Sequence, residues 1–503
     1  MDQPRRRWLR SPGRPARGLR SATAPAARAT WLLAALLLLG ATAGWADAAP
    51  APATAPTPAA PAAVSVPTFE SGKSPERELH VALSGNDSTG TGAPDRPFRT
   101  VRRAAQAATP GTAVRIGPGT YTEGTFIDGL RGTAERPIWI GGVPGQPRPV
   151  ITGVGEALHL SRVHYLVVHD LVVRGATANG INADDGGEVA NPDATRNLVF
   201  RDLDIAEIGG TGNQDCLKLS GVNDYFVLNS RFRACGGAGS GSGIDHVGCS
   251  GGLIAGNLFQ DMSANAVQSK GGSADIEIRA NRMLNAGPRA VNIGGSTGYE
   301  FFRPPLSTTA PNAEARNIRV IANVIVGSQT PFAFVGAVDS LAANNTVIEP
   351  TTWLLRILQE TVSDGTYSFL PSGNNRVVNN LFVFRRAAVA VDVNVGPNTA
   401  AGTFRFANNL WYASDNPARS APALPAAEQN GVVGRDPLLR DLAAGDYRLR
   451  PGSAALGAGA LLPEVVADFD GAPYRQPPSI GAHEAPPAQT PRSYRAFLPL
   501  ARR

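Results

Sequence analysis

Lysine is nearly missing from this chain. Of 47 basic residues among 503, only Lys73, Lys218 and Lys270 are lysine; the other 44 are arginine. Few side chains are therefore left that can lose a proton and act as an amine base, since guanidinium stays charged. Cysteine is as scarce: Cys216, Cys235 and Cys249. Three cannot all pair within one chain, and no Cys/His spacing suggests zinc. Cys235–Cys249 is the bridge expected in an oxidising compartment; the other reading is three small buried hydrophobes. Aromatics make up 7%, against 56 glycines and 41 prolines. That balance argues against a large helical core and for many tight turns. One apolar run stands out, residues 30–41, and it is too short for a membrane span.

The basic excess is a property of one end. Residues 1–46 hold eight arginines and one acid, Asp2, and without them 39 basic face 40 acidic residues, a net charge near −1. No basic balance is left to suggest a nucleic-acid partner. An arginine-rich stretch, then the apolar run 30–41, then Ala46-Asp47-Ala48, reads as a secretory signal. Arg5-Arg6-Arg7-Trp8-Leu9-Arg10 resembles a twin-arginine signal but lies far from the apolar run, so an ordinary basic region is the competing reading. Residues 47–75, rich in Ala, Pro and Thr, are expected to be an extended, disordered spacer, and 486–503 a frayed tail. The expected location is outside the cell or at its surface, as a monomer without a membrane span.

What fills the middle is a repeat. An apolar-x-apolar triplet is followed by an Asn, then an apolar residue two places on, as in Phe226-Val-Leu-Asn229-Ser-Arg-Phe232. It returns around Asn257, Asn281, Asn323, Asn345, Asn380 and Asn409, with Asp170 and Asp202 in the Asn place upstream. Spacings of 22–42 residues between period-2 apolar runs mark a stacked solenoid, and the runs are too short for helices. The Asn is expected to take the left-handed turn between strands and to bond coil to coil as an amide ladder. The row is structural and is not read as glycosylation or catalysis.

Both ends of the repeat carry further segments. His80-Val-Ala-Leu-Ser-Gly-Asn-Asp87, Arg96-Pro-Phe-Arg-Thr100 and Gly117-Pro-Gly-Thr-Tyr-Thr-Glu123 stand at the start. Asp436-Pro-Leu-Leu, Gly445-Asp-Tyr-Arg-Leu449, Asp468-Phe-Asp-Gly471 and Ser479-Ile-Gly-Ala-His-Glu484 stand at the finish. With these, residues 78–485 resemble the secreted right-handed parallel β-helix proteins of the pectate-lyase-like superfamily. The resemblance implies an all-β fold, a single-stranded right-handed parallel β-helix over 76–485, with a closing segment at 411–485. Val101, Ala104, Ala105 and Ala108 share one helical face, and a short helix there is expected to cap the solenoid's open end. The fold hosts lyases, hydrolases, epimerases and non-enzymes, so it does not fix function.

Two of the three lysines lie inside the repeat. Lys218 and Lys270 each precede their landmark Asn by 11 residues, and so does His246. Strand alternation refines this count. Leu217, Ile244, Val267 and Val291 inward send Lys218, Asp245, Gln268, Lys270 and Asn292 outward and turn His246 in. An insertion from Tyr299 to Ala315, carrying Arg303, is placed to wall a groove.

Lyases of uronic-acid polymers need a cation that neutralises the carboxylate and a base that removes the adjacent proton. Ser269-Lys270-Gly271, with Gly287 and Arg289 a coil later, is similar to elements of alginate and chondroitin lyases. That similarity implies Lys270 as base and Arg289 as neutraliser, with Lys218, Asp245 and His246 as further catalytic candidates. Gln268, Asn292, Asp215 and Arg303 are the candidate substrate contacts. Where those lyases carry calcium-binding carboxylates this chain has Ser263 and Asn265. The acidic loop of Asp184, Asp185, Glu188 and Asp193 supplies oxygens for Ca²⁺ but fits no fixed metal spacing, so a solvated loop is preferred and no metal ligand is assigned. Asn213-Gln-Asp-Cys-Leu-Lys-Leu-Ser-Gly221 looks like a polygalacturonase segment, with Gln214 in place of its first carboxylate. Hydrolysis by Asp215 and Asp245 then requires coil stacking to bring the two together. The reading is a polysaccharide-active β-helix protein, with elimination preferred, hydrolysis second, and carbohydrate binding without catalysis third.

Overall fold

The computed structural model describes residues 63–153 and 155–484. The signal segment, most of the spacer and the tail 486–503 lie outside the described residues. The apolar runs are strands, and successive coils distribute them among three long parallel sheets of 16, 12 and 10 strands. The chain is a parallel β-helix. Side-chain alternation sends one residue in two to the interior. There, like residues stack from coil to coil, as Ile140, Val168, Phe200 and Val227 do in the largest sheet. Ile205, Phe232 and Phe259 stack in the same way in the 12-stranded sheet, and Leu217, Ile244, Val267 and Val291 in the 10-stranded one. All are buried in one continuous core. The helix Val101–Ala107 covers the first coil. Thr100 accepts the Arg103 N–H at its N-terminus, and Val101, Ala104 and Ala105 face inward.

One turn carries the amide ladder. Asn257 donates to Asn281 (3.0 Å), Asn281 to Asn323 (3.0 Å), Asn323 to Asn345 (3.0 Å), Asn345 to Asn380 (2.8 Å) and Asn380 to Asn409 (3.1 Å). Glu428 terminates the row, accepting from Asn409 at 3.2 Å. The backbone N–H of each rung donates to the same side-chain oxygen of the next.

Asn229 does not belong to this row, contrary to the sequence reading. Its ladder place is taken by Ser230, whose N–H donates to Asn257 Oδ1 at 2.9 Å. Asn229 stands one residue earlier, at φ 50°, together with Asp170, Asp202, Ala280, Ala322, Asn344, Asn379 and Asn408, all at positive φ. The left-handed residue and the ladder residue are thus adjacent positions. A short polar side chain suits both, which is why one sequence pattern merged them.

The outer faces of two sheets are clad. Leu439, Tyr447, Leu449, Phe469 and Ile480 of the closing segment pack with Val324, Ile348, Leu381 and Leu410 of the 12-stranded sheet. Leu462 and Val465 pack on Ile321 and Leu341 of the largest sheet. That sheet also exposes the stripe Ala113, Trp139, Val167 and Val199, and Phe69 covers it. Glu70 accepts from Trp139 Nε1 at 2.9 Å and pairs with Arg201 at 2.7 Å, while Val64 exchanges two hydrogen bonds with Asn229. The distal part of the expected free spacer is therefore attached, because an apolar stripe there needs cover. The outer face of the 10-stranded sheet carries no such apolar cluster among the described residues.

The cysteine pairing also differs from expectation. Cys216 and Cys235 form the disulfide, with Cα atoms 5.4 Å apart, and Cys249 is free and buried. Cys216 and Cys235 stand at the same corner of successive coils, where the chain passes from the 12-stranded to the 10-stranded sheet, whereas Cys249 lies at another corner, between Ser242–Val247 and Ser250–Ala255. Among the described residues no helix is long and apolar enough to cross a membrane.

The ladder generates a stability test. Asn323→Ala strips two neighbouring rungs of their partners inside the core and is expected to cost about 2–4 kcal/mol in urea denaturation. A loss below ~1 kcal/mol would show that the amide row is incidental.

Candidate functional site

The unclad sheet carries a cleft of about 760 Å³ on its outer face. Its floor follows from strand register. One outward column runs Phe126, His159, Asn182, Lys218, Asp245, Gln268 and Asn292, each directly beside the next. A second runs Ser161, Asp184, Ser220, Val247 and Lys270. The expected outward set is thus outward. The equivalence suggested by counting back from the Asn landmark is not observed. Lys218 neighbours Asp245, while His246 neighbours Leu219 and Ser269 inside. For Lys218 the count failed because Asn229 is a left-handed residue rather than a rung. His246 and Lys270 are counted from true rungs, but the path from Lys270 to Asn281 is one residue longer than that from its neighbour Val247 to Asn257.

The lysines converge on carboxylates. Lys218 bonds Asp245 and lies 3.5 Å from Asp215, and Lys270 lies 3.4 Å from Asp245. The two Asp side chains are fully buried beneath the lysines. Burial, with Asp245 alongside, lifts the Asp215 carboxyl to about 7. Burial opposes charge on Asp245 too, but Lys218 and Lys270 outweigh it and hold that carboxylate low. Burial likewise works against Lys218, and the two carboxylates outweigh it, holding the ammonium above its ordinary range. Stacking therefore does bring Asp215 and Asp245 together, around one cation. Two cations on one ionised carboxylate leave the floor locally positive whenever Asp215 is protonated.

A polar network continues toward the N-terminal coils. Asn179 accepts the Asp215 N–H at 2.8 Å and donates to Glu156 at 2.9 Å. His159 sits between Glu156 (2.9 Å) and Asp184 (2.6 Å), and these bonds, Asp184 first, raise its pKa to about 9. Imidazolium is thus the neutral-pH form. Phe126 stands edge-on to His159 at 4.8 Å and is half exposed. On the other side Thr297, just before the insertion, and Phe301 and Arg303 within it line the cleft. Arg303 grips Asp185 at 2.6 and 3.1 Å. Buried Glu314 holds the insertion's base, accepting from the Gly271 N–H (2.8 Å), the Thr297 N–H (2.9 Å) and Thr361.

Of the residues singled out in the sequence, Lys218, Lys270 and Arg303 line the cleft, with Asp215 and Asp245 directly behind. Gln268 and Asn292 share the column but are nearly buried. Arg289 stands apart. It starts its strand beside Thr330, while Lys270 ends the neighbouring one, and its guanidinium is committed to Glu360 at 2.6 Å. The Lys270–Arg289 pair is not assembled. His246 is in the core, its Nδ1–H donating to the Gln268 carbonyl (2.7 Å), and burial drops its pKa to about 4. The acidic loop is dispersed: Asp184 to His159, Asp185 to Arg303, Asp193 to Arg196. Among the described residues no group of three or more His, Cys, Asp or Glu is placed to hold a metal ion.

Sequence reasoning missed His159, Glu156, Asn179 and Phe126. His159 had a signal, since it precedes Asp170 by the same 11 residues that separate Lys218 from Asn229.

A family described as a protein of unknown function (DUF1565) matches residues 83–126. No curated protein matches the chain. Among solved structures, XylC in complex with xylose is similar at 12% identity and a TM-score of 0.50, over 81% of this chain and 98% of that one. The pectate lyase Pel9A is similar at 15% identity and TM-score 0.43, over 82% and 97%. A rhamnogalacturonan lyase is similar at 15% and 0.43, over 66% and 87%. What these likenesses share with the chain is the fold.

His159 makes the site's stability pH-dependent. Its folded-state pKa is raised above the ordinary 6.5, so its contribution is complete below about 6.5 and is lost as pH rises through about 9. The Tm difference between wild type and His159→Gln is expected to shrink between those pH values. A difference that stays constant to pH 10 would mean the imidazolium is not the bound form.

Proposed function

We propose that the protein cleaves an acidic polysaccharide laid in this cleft, by β-elimination. The observation that carries the reading is the convergence of two of the chain's three lysines on buried Asp245 at the cleft floor. In elimination a base removes the proton α to a uronate carboxylate. The electron pair forms the new C=C bond, and the glycosidic oxygen at the β carbon leaves and takes up a proton. The step needs a permanent cation on the carboxylate and a base within reach of the α proton. Lys218, held protonated by its two carboxylates, suits the first role. Lys270, at the cleft surface with one carboxylate contact, suits the second. Arg289 takes no part in this arrangement. Exposed Phe126 and Phe301 offer apolar faces for sugar rings, as the aromatic residues of carbohydrate sites do.

A second reading has its own observation. Asp215 is lifted to about 7 while Asp245 is held ionised, and such a split is what an acid and a base of hydrolysis require. Against it, neither carboxylate reaches the cleft surface.

Purified protein is to be tested on pectate, alginate and glycosaminoglycans, following near-ultraviolet absorbance and reducing ends together. Elimination is expected to give both signals and to fall at least ~100-fold in Lys270→Ala with the fold retained. Lys270→Arg is expected to fail nearly as badly. Reducing ends without absorbance, lost in Asp215→Asn, would transfer the case to hydrolysis. Binding without any turnover would overturn both.

A further inference from the structure

The cleft does not stop at its most N-terminal aromatic. A second cavity of about 520 Å³ lies beyond Phe126, and Phe126 lines both. The strand Thr125–Asp128 is the last in the 10-stranded sheet, so this second cavity sits where the sheet meets the capping helix. Its polar lining comes from Arg102 and Gln106 of that helix and from Arg131. Asp128 also lines it, but its carboxylate is taken by Arg162. Among the described residues Arg131 reaches only the His164 ring, at 3.1 Å, and burial together with Arg131 itself lowers the pKa of that imidazole. Arg102 is exposed, with no carboxylate partner among the described residues. Two guanidinium charges therefore face one cavity without a free carboxylate to offset them.

Resting on the reading above, we infer that this cavity is a second binding subsite for the same polymer. It takes a sugar bearing a carboxylate or sulfate, on the far side of the Phe126 ring from the lysines. Five strand-to-strand steps separate the coil of Lys270 from that of Phe126, about 24 Å along the axis. A chain crossing the lysine floor and ending on Arg102 and Arg131 is an extended oligosaccharide, longer than a disaccharide. Phe126, half exposed and braced edge-on by His159, is the surface over which it passes. The guanidinium fork suits an oxyanion at a chain position where binding is needed and proton transfer is not.

The test measures binding, using Lys270→Ala so that ligands stay intact. Size-graded oligouronates from galacturonan and from alginate, and sulfated oligosaccharides of matched length, are titrated against it. Affinity is expected to rise about tenfold from trimer to octamer, and Arg102→Ala/Arg131→Ala is expected to remove that gain while leaving the trimer unchanged. Arg102→Lys/Arg131→Lys is expected to keep part of the gain, which separates charge from misfolding. The carboxylated and sulfated series identify which anion is read. Equal affinity at all lengths, or an octamer indifferent to the double alanine variant, overturns the subsite alone. No binding at any length in any series overturns the reading on which it rests.

Discussion

The register between coils is the constraint on which everything else in this molecule depends. A parallel β-helix has no hairpin turns to fix strand pairing, so a one-residue slip would exchange its core for its surface. Here the buried amides from Asn257 to Asn409 bond rung to rung and also hold the next backbone N–H. Each rung is in the low-dielectric interior, where an unmade hydrogen bond is costly, so a slipped coil would strand several polar groups at once. Glu428 ends the row, accepting from both the backbone N–H and the side-chain amide of Asn409 in place of a further Asn.

Register is also what makes the cleft. Lys218 and Asp245 are 27 residues apart in sequence but adjacent in the sheet, and Lys270 follows one coil later. Burying Asp245 is tolerable because Lys218 and Lys270 both stand against it; removing both would leave an uncompensated ion in the core wall. The same logic explains the surroundings. His159 is shared by Glu156 and Asp184, and Arg303 by both oxygens of Asp185, so the walls are as closely matched as the floor.

The choice of face follows from what covers the others. The closing segment and residues 64–70 lie over apolar stripes on two sheets, and those stripes would otherwise be exposed patches. The third sheet presents charged and amide columns, which water or a hydroxylated ligand can satisfy. Its rim is raised by the insertion, anchored at buried Glu314.

How much of this was legible depended on whether the information was local. The triplet-and-Asn repeat, the capping helix at Val101–Ala107 and the inward set Leu217, Ile244, Val267 and Val291 could be read because side-chain alternation and helical periodicity are properties of short segments. The sequence itself therefore determined a solenoid of strands and which side of each strand faces out. It did not determine that Asn229 and Asn257 hold different places, because the same side chain suits a left-handed turn and an amide rung. Nor did it separate Arg289 from Lys270, pair Cys216 with Cys235, or bring His159 into the cleft. Those outcomes depend on the length of each intervening loop and on which coil lies next to which. Only the stacked chain decides them, since distance across a sheet is set by register and not by separation along the sequence.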